Sequence, residues 1–232
     1  MPYVPNRRKR SFKRKRTKYL TNETYKQRTT DGAPENQMYR YLSDFNPFPA
    51  VHYATLRYVT KIAISPPAIL KAAKHFFRAN SIHDPDYSGT VFGGQPYGHD
   101  TYYNIYNNYQ VLRSVITVQG NPNSNQPAPG IGIMLKDNVE TVEDEVRQLC
   151  AVKGSSYMMN RVANGVTLKR SFTAKYMQNK STQCAAFGSE PTDPMFFVVF
   201  SMDDSSTNTV LYATVTINYH VKMWGLKDLS ST

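Results

Sequence analysis

From residue 54 onward the dominant period of apolar positions is two. In ATLRYVTKIAI, Leu56, Tyr58, Ile62 and Ile64 face one way, and Arg57, Val59 and Lys61 face the other. In VLRSVITV, Leu112, Ile116 and Val118 oppose Arg113, and in VTLKRSF, Val166, Leu168 and Phe172 oppose Lys169. The longest run is near the end. Leu211, Ala213, Val215, Ile217, Tyr219, Val221 and Met223 alternate with Tyr212, Thr214, Thr216, Asn218, His220 and Lys222. Strict alternation over such lengths predicts half-buried β-strands. MFFVVFSM (195–202) is apolar on both faces and reads as a central strand covered on both sides. KHFFRAN (74–80), GIGIML (130–135) and a piece within Cys150 to Met159 complete a set of about eight strands.

Helical spacing is rare. Val142, Val146 and Leu149 form one stripe over Thr141 to Leu149, with acids in the first turn. Tyr102, Ile105, Tyr106 and Tyr109 follow helical spacing after Asp100, a candidate cap. Residues 67–74 allow a further turn or two. Turn-rich segments separate the strands: HDPDYSGTVFGGQPYG, QGNPNSNQPAPG and GSEPTDP. About eight strands, long loops and no alternation of strand with helix predict an all-β sandwich, a single eight-stranded jelly roll.

Charge changes the picture at the N-terminus. The 232 residues hold 28 Lys+Arg against 17 Asp+Glu, a net charge of +11. Residues 1–28 carry +10 of this, through Arg7, Arg8, Lys9, Arg10, Lys13, Arg14, Lys15, Arg16, Lys18, Lys26 and Arg28 against Glu23. The remainder is nearly neutral. Like charges with little apolar material cannot fold alone, so residues 1–28 are expected to be a disordered basic arm that binds nucleic acid. Residues 29–50 read as a linker that docks near Tyr39 to Phe48, and 51–232 as the jelly-roll domain. RRKR and KRKR, separated by Ser11 and Phe12, also suit a nuclear import signal over Arg7, Arg8, Lys9, Arg10, Lys13, Arg14, Lys15 and Arg16.

Catalytic chemistry finds no foothold. Cys150 ends a predicted helix and Cys184 sits in an unmarked loop, neither in a nucleophile motif, and two cysteines do not make a disulfide framework. Five scattered histidines show no metal-ligand spacing. Asp84, Asp86, Ser88 and Gly89 match early positions of a calcium loop, but the closing residue would be Gln95, and a turn accounts for them better. The chain is expected to be no enzyme, to need no cofactor or metal, and to insert no segment in a membrane. Neither a secretory signal nor a long apolar run is present to suggest otherwise.

Several ordered blocks then stand out: FFRANSIHDPDYSG (76–89), QPYGHD (95–100), YNNYQVLRSVITV (106–118), LKRSF (168–172), FFVVF (196–200) and VTINYHVKMWG (215–225). Together with the arm-then-body plan, they resemble the capsid proteins of small circular, Rep-encoding single-stranded DNA viruses, the circovirus-like group. The resemblance covers roughly residues 50–225. It implies a jelly roll with strands lettered B to I, sixty copies in a small T=1 icosahedral shell, and arms inside on the genome. It implies partners too: the protein itself, single-stranded DNA, a nuclear import receptor and a host cell receptor. The implied locations are the virion and the host nucleus. Many relatives carry a longer, more Arg-dominated arm than this one.

Two other readings share the residues. One is a jelly-roll capsid of a single-stranded RNA virus. The other is a cellular nucleic-acid-binding structural protein, which would usually spread its charge over the folded domain.

The strands read as B, D, G and I each carry basic side chains opposite their core residues: Arg57 and Lys61, Arg113, Lys169, and Lys222. In a jelly roll these strands share one sheet, so a second, fixed basic patch is expected on it: either a solvated outer face, or a nucleic-acid-binding face with aromatics such as Tyr212 nearby. For the arm, residues 1–20 fused to a reporter are expected to concentrate it in the nucleus; fluorescence spread evenly through the cell would refute the import signal.

Overall fold

The computed structural model describes residues 47–65, 71–88, 94–120, 130–158, 165–177, 179–202 and 210–228. The chain divides into two units, Met1–Pro47 and Phe48–Thr232, and all the elements described below belong to the second.

Two antiparallel sheets hold that unit. The first runs in the order β1 (Val51–Ile64), β9 (Leu211–Leu226), β3 (Tyr106–Gly120), β6 (Thr167–Thr173), with the short β7 (Cys184–Ala186) also paired to β3. The second runs β2 (Lys74–Arg78), β8 (Phe196–Met202), β4 (Gly130–Lys136), β5 (Ser156–Met158). With β7 set aside, these are the B-I-D-G and C-H-E-F sheets of a jelly roll, in which the chain crosses repeatedly from one sheet to the other. Of the described helices, none is long and apolar enough to cross a membrane.

The alternation does what period two requires. Leu56, Tyr58, Ile62 and Ile64 turn inward from β1, and Val215, Ile217, Tyr219 and Val221 from β9. Ile131, Ile133, Phe197 and Val199 meet them from the second sheet. The expectation for 195–202 also holds: β8 is buried throughout. Its other face, Val198, Phe200 and Met202, packs with Met134 against Ala72, Val142 and Leu149. Lys74 pins this cover, donating from Nζ to the Val142 carbonyl at 2.7 Å and to the Asp144 carboxylate at 2.6 Å. That hydrogen bond and charge hold the Asp144 carboxyl below its usual range.

Several expectations need correction. The helix expected from Asp100 through Tyr109 stops early. α1 spans His99–Tyr103, and Tyr106 and Tyr109 belong to β3, where Asn108 and Tyr109 pair with Trp224 and Met223. Cross-strand pairing outweighs the local spacing. Asp100 lies inside α1 rather than capping it; Gly98, at φ 86°, precedes the helix. The Thr141–Leu149 helix is shorter and later, α2 (Val146–Ala151), and Cys150 lies within it. Cys184 opens β7 instead of lying in a loop. Lys74 belongs to β2, and residues 66–70 lie outside the described residues. So do the linker positions near Tyr39 and the arm.

Leu112 is the most consequential correction. The register between β3 and β9 shifts between Val111 and Arg113, so Val111 faces Val221 and Arg113 faces His220. Leu112 is therefore the extra residue of a β-bulge, half-buried, and Val111 fills the core position.

Gly132 on β4 is a point of close approach. A Cβ built there would fall 2.0 Å from the Phe200 ring of the neighbouring β8. Gly132→Ala is expected to lower stability by about 1–3 kcal/mol. Chemical denaturation checks it, with Phe200→Leu in the same chain recovering part of the loss.

Candidate nucleic-acid interface

The face of the first sheet that turns away from the core is built by the same alternation. Tyr53, Thr55, Arg57, Val59 and Lys61 project from β1, and Tyr212, Thr214, Thr216, Asn218, His220, Lys222 and Trp224 from β9. On β3 the phase is set by the bulge. Tyr109 and Val111 are buried, and an unbroken alternation would send Arg113 into the core after them. The extra residue Leu112 turns Arg113 outward and Ser114 inward, where Ser114 Oγ donates to the Ala79 carbonyl. Lys169 projects from β6, opposite Thr117.

The structure therefore brings Arg57, Lys61, Arg113, Lys169 and Lys222 onto one face, across four adjacent strands. Not one strand of this sheet contains Asp or Glu. Among the described residues, ion pairs are made by Lys74, His75, Arg78 and His99, and by none of these five. Neighbouring contacts are neutral. Arg57 Nε donates to Asn218 Oδ1 at 3.0 Å, and Thr55 Oγ1 lies 3.0 Å from His220 Nδ1. Lys222 Nζ sits 5.3 Å from the centre of the Trp224 ring. Arg57 and Lys61 lie about 13 Å apart along β1, beyond the screening length at physiological salt, so these two share the face at little mutual cost.

Aromatic surface accompanies the charge. Tyr53 stands opposite Lys222 and is 63% exposed, and Tyr212 is half exposed. Tyr97, 91% exposed, meets the free edge of β1, its N–H donating to the Arg57 carbonyl at 2.9 Å. Sequence reading missed Tyr53, His220, Trp224 and Tyr97. Tyr53 and Trp224 were legible as the continuation of the same period-two runs; the contact of Tyr97 with β1 was not. Arg170, beside Lys169, pairs with buried Ile116 and turns to the opposite side, next to Gly154. Arg7, Arg8, Lys9, Arg10, Lys13, Arg14, Lys15, Arg16 and Lys18 lie outside the described residues.

The polar groups at the end of the sandwich serve structure. Asp86 Oδ1 lies 2.8 Å from His75 Nε2 and accepts from the Ser88 N–H. Asp84 adopts positive φ (45°), its carboxylate meets buried Arg78, and its N–H donates to Gln95 Oε1. Arg78 also pairs with Glu190 at 2.6 Å. Asn80, at the end of the FFRAN block, donates to Gln183 and to the Asp193 carbonyl, and accepts from the Met195 N–H. Burial raises the thiol pKa of both Cys150 and Cys184, opposite to what activates a cysteine nucleophile.

Comparison with known proteins adds likeness without a family. No family model matches, and no curated protein does. Solved structures do. The BFDV capsid protein in its 60-mer form is 11% identical, with 80% of this chain and 100% of that one covered and a TM-score of 0.47. Cocksfoot mottle virus gives 14% identity, 76% and 97% coverage, and a TM-score of 0.48. The virus-like particle of giant freshwater prawn Macrobrachium rosenbergii nodavirus gives 8%, 80% and 100%, and 0.47. The jelly-roll assignment rests on the strand order itself.

Behind the basic face lies a layer of buried tyrosines. Tyr109 donates to the Ser189 carbonyl at 2.8 Å, and burial pushes its pKa up to about 12. Tyr219, fully buried, donates to the Arg78 carbonyl at 2.7 Å and is raised well above the ordinary value, again by burial. A raised folded-state pKa means stability that is whole below pH 10 and lost as pH climbs through about 12. Absorbance titration of tyrosinate is expected to show these groups ionising only with cooperative unfolding above pH 10. Smooth ionisation in a still-folded protein would contradict it.

Proposed function

We propose that this chain is a viral capsid protein that assembles into a small icosahedral, T=1 shell of sixty copies and packages a single-stranded DNA genome. The observation that carries the reading is the acid-free face of the first sheet, with five cations supplied by four separate strands of a jelly roll. Independent strands place like charge on one side when that side is wet or meets an anion, and a single strand of nucleic acid is such an anion. The basic arm, residues 1–28 at +10, adds further charge to the patch. Sixty such arms counter on the order of 600 phosphates. Binding through point charges reads backbone and not sequence.

In this reading the basic face of the first sheet looks inward, Arg7 to Lys18 also engage a nuclear import receptor, and the protein resides in the virion and the host nucleus. The 60-mer form of the BFDV capsid protein is in keeping with a sixty-subunit shell. The thiols, the histidines and the acidic residues already described serve packing and hydrogen bonding, which suits a structural protein.

Electron microscopy of the expressed full chain tests the assembly: uniform particles are expected, and a soluble monomer overturns the reading. Packaged material is expected to be destroyed by deoxyribonuclease after the particles are opened; sensitivity to ribonuclease alone would place the chain with RNA-virus capsids. Charge reversal at Arg57 and Arg113 separates interface from ordinary wet surface. Shells of normal geometry with depleted nucleic acid are expected, and normal packaging by both variants would leave the patch without a genome role.

A further inference from the structure

The bulge at Leu112 does more than turn Arg113 outward. An extra residue on β3 locally interrupts the ladder with β9, and a shallow hollow of about 180 Å³ opens beside it. Tyr53, Ala54, Thr55, Leu112, His220 and Val221 line it. Two of these, Tyr53 and His220, bring rings to the outer face, while Leu112 supplies an apolar surface. Cations flank the hollow on both sides: Lys222 stands directly opposite Tyr53, and Arg113 directly opposite His220.

The geometry points to a seat for one nucleotide of a single strand in this hollow, with its base against the Tyr53 ring and the adjoining phosphates on Arg113 and Lys222. This deepens the proposed function and rests on it, since the same face is read there as the genome-facing one. The occupant follows from the chemistry. A planar π-face suits Tyr53, and anionic charge on either side suits the paired cations. No carboxylate in the sheet opposes a phosphate. A base stacked on an exposed aromatic is sequence-tolerant, as packaging requires, because every base has a π-face.

Trp224, the chain's one tryptophan, lies on the same face two residues beyond Lys222, about 7 Å along β9. Its emission therefore reports on this region of the sheet. The full chain, held as unassembled subunits, is titrated with oligothymidylate and with an abasic strand of equal length, while anisotropy of a labelled strand records total binding. Oligothymidylate is expected to change Trp224 emission at concentrations about 5- to 150-fold lower than the abasic strand, the range for one stacked base. Tyr53→Ala is expected to erase that preference and Tyr53→Phe to keep it. Arg113→Gln is expected to reduce the salt slope for both strands by about 0.7. A strand that binds by anisotropy while Trp224 stays silent, or a preference unchanged in Tyr53→Ala, overturns the hollow and leaves the packaging reading intact. No binding of either strand overturns both.

Discussion

The pairing of β1 with β9 is the contact on which the rest of this domain depends. Fourteen consecutive register pairs join Val51–Ile64 to Leu211–Leu226, the first and last strands of the described domain. β9 is then held on its other side by β3 for nearly its whole length, so its inward row of Val215, Ile217, Tyr219 and Val221 sits at the middle of the core. Closing a loop of this size costs entropy before any contact offsets it, so such a domain is expected to fold slowly. The basic face inherits the dependence. Arg57 and Lys61 share a surface with Lys222 and Arg113 only because β9 lies between β1 and β3.

The two sheets solve burial differently. The second sheet is apolar on both faces. Its outer side is closed by Val142, Leu149 and their neighbours, and Lys74 clamps that segment through the Val142 carbonyl and Asp144. The first sheet has one apolar face and one polar face, and the polar face has charge of one sign only. A sheet that needed only to stay wet would do as well with mixed charge, which also avoids like-charge repulsion between strands. The Arg78 salt bridges to Asp84 and Glu190 and the His75–Asp86 contact lie elsewhere, near the 84–86 turn, where they tie loops to strand ends. The paired charges and the unpaired cations of the first sheet thus occupy separate parts of the described domain.

What the chain's own pattern determined is considerable. Period two is a local property, so β6 and β8 were legible within a residue, β1 and β9 were legible except for three residues at one end of each, and the two-sided burial of Phe196–Met202 was legible too. The cations Arg57, Lys61, Lys169 and Lys222 were readable as outward for the same reason. The arm's charge needs no fold at all. Tertiary structure decided what depends on partners distant in sequence. Tyr106 and Tyr109 have helical spacing, yet their ladder with β9 makes them strand. The three-residue β7 has too little sequence to show a period and exists because β3 offers Asn108 to Gln110 for pairing. Arg113 was placed on the right face for an incomplete reason: Leu112 looked like a core residue, and only the register against β9 shows it to be the bulge that reverses the phase. A bulge is a mismatch between two strands, and no single strand contains that information. The hollow beside it, where Tyr53, Leu112 and His220 come together from three strands, therefore became visible only once the sheet was assembled.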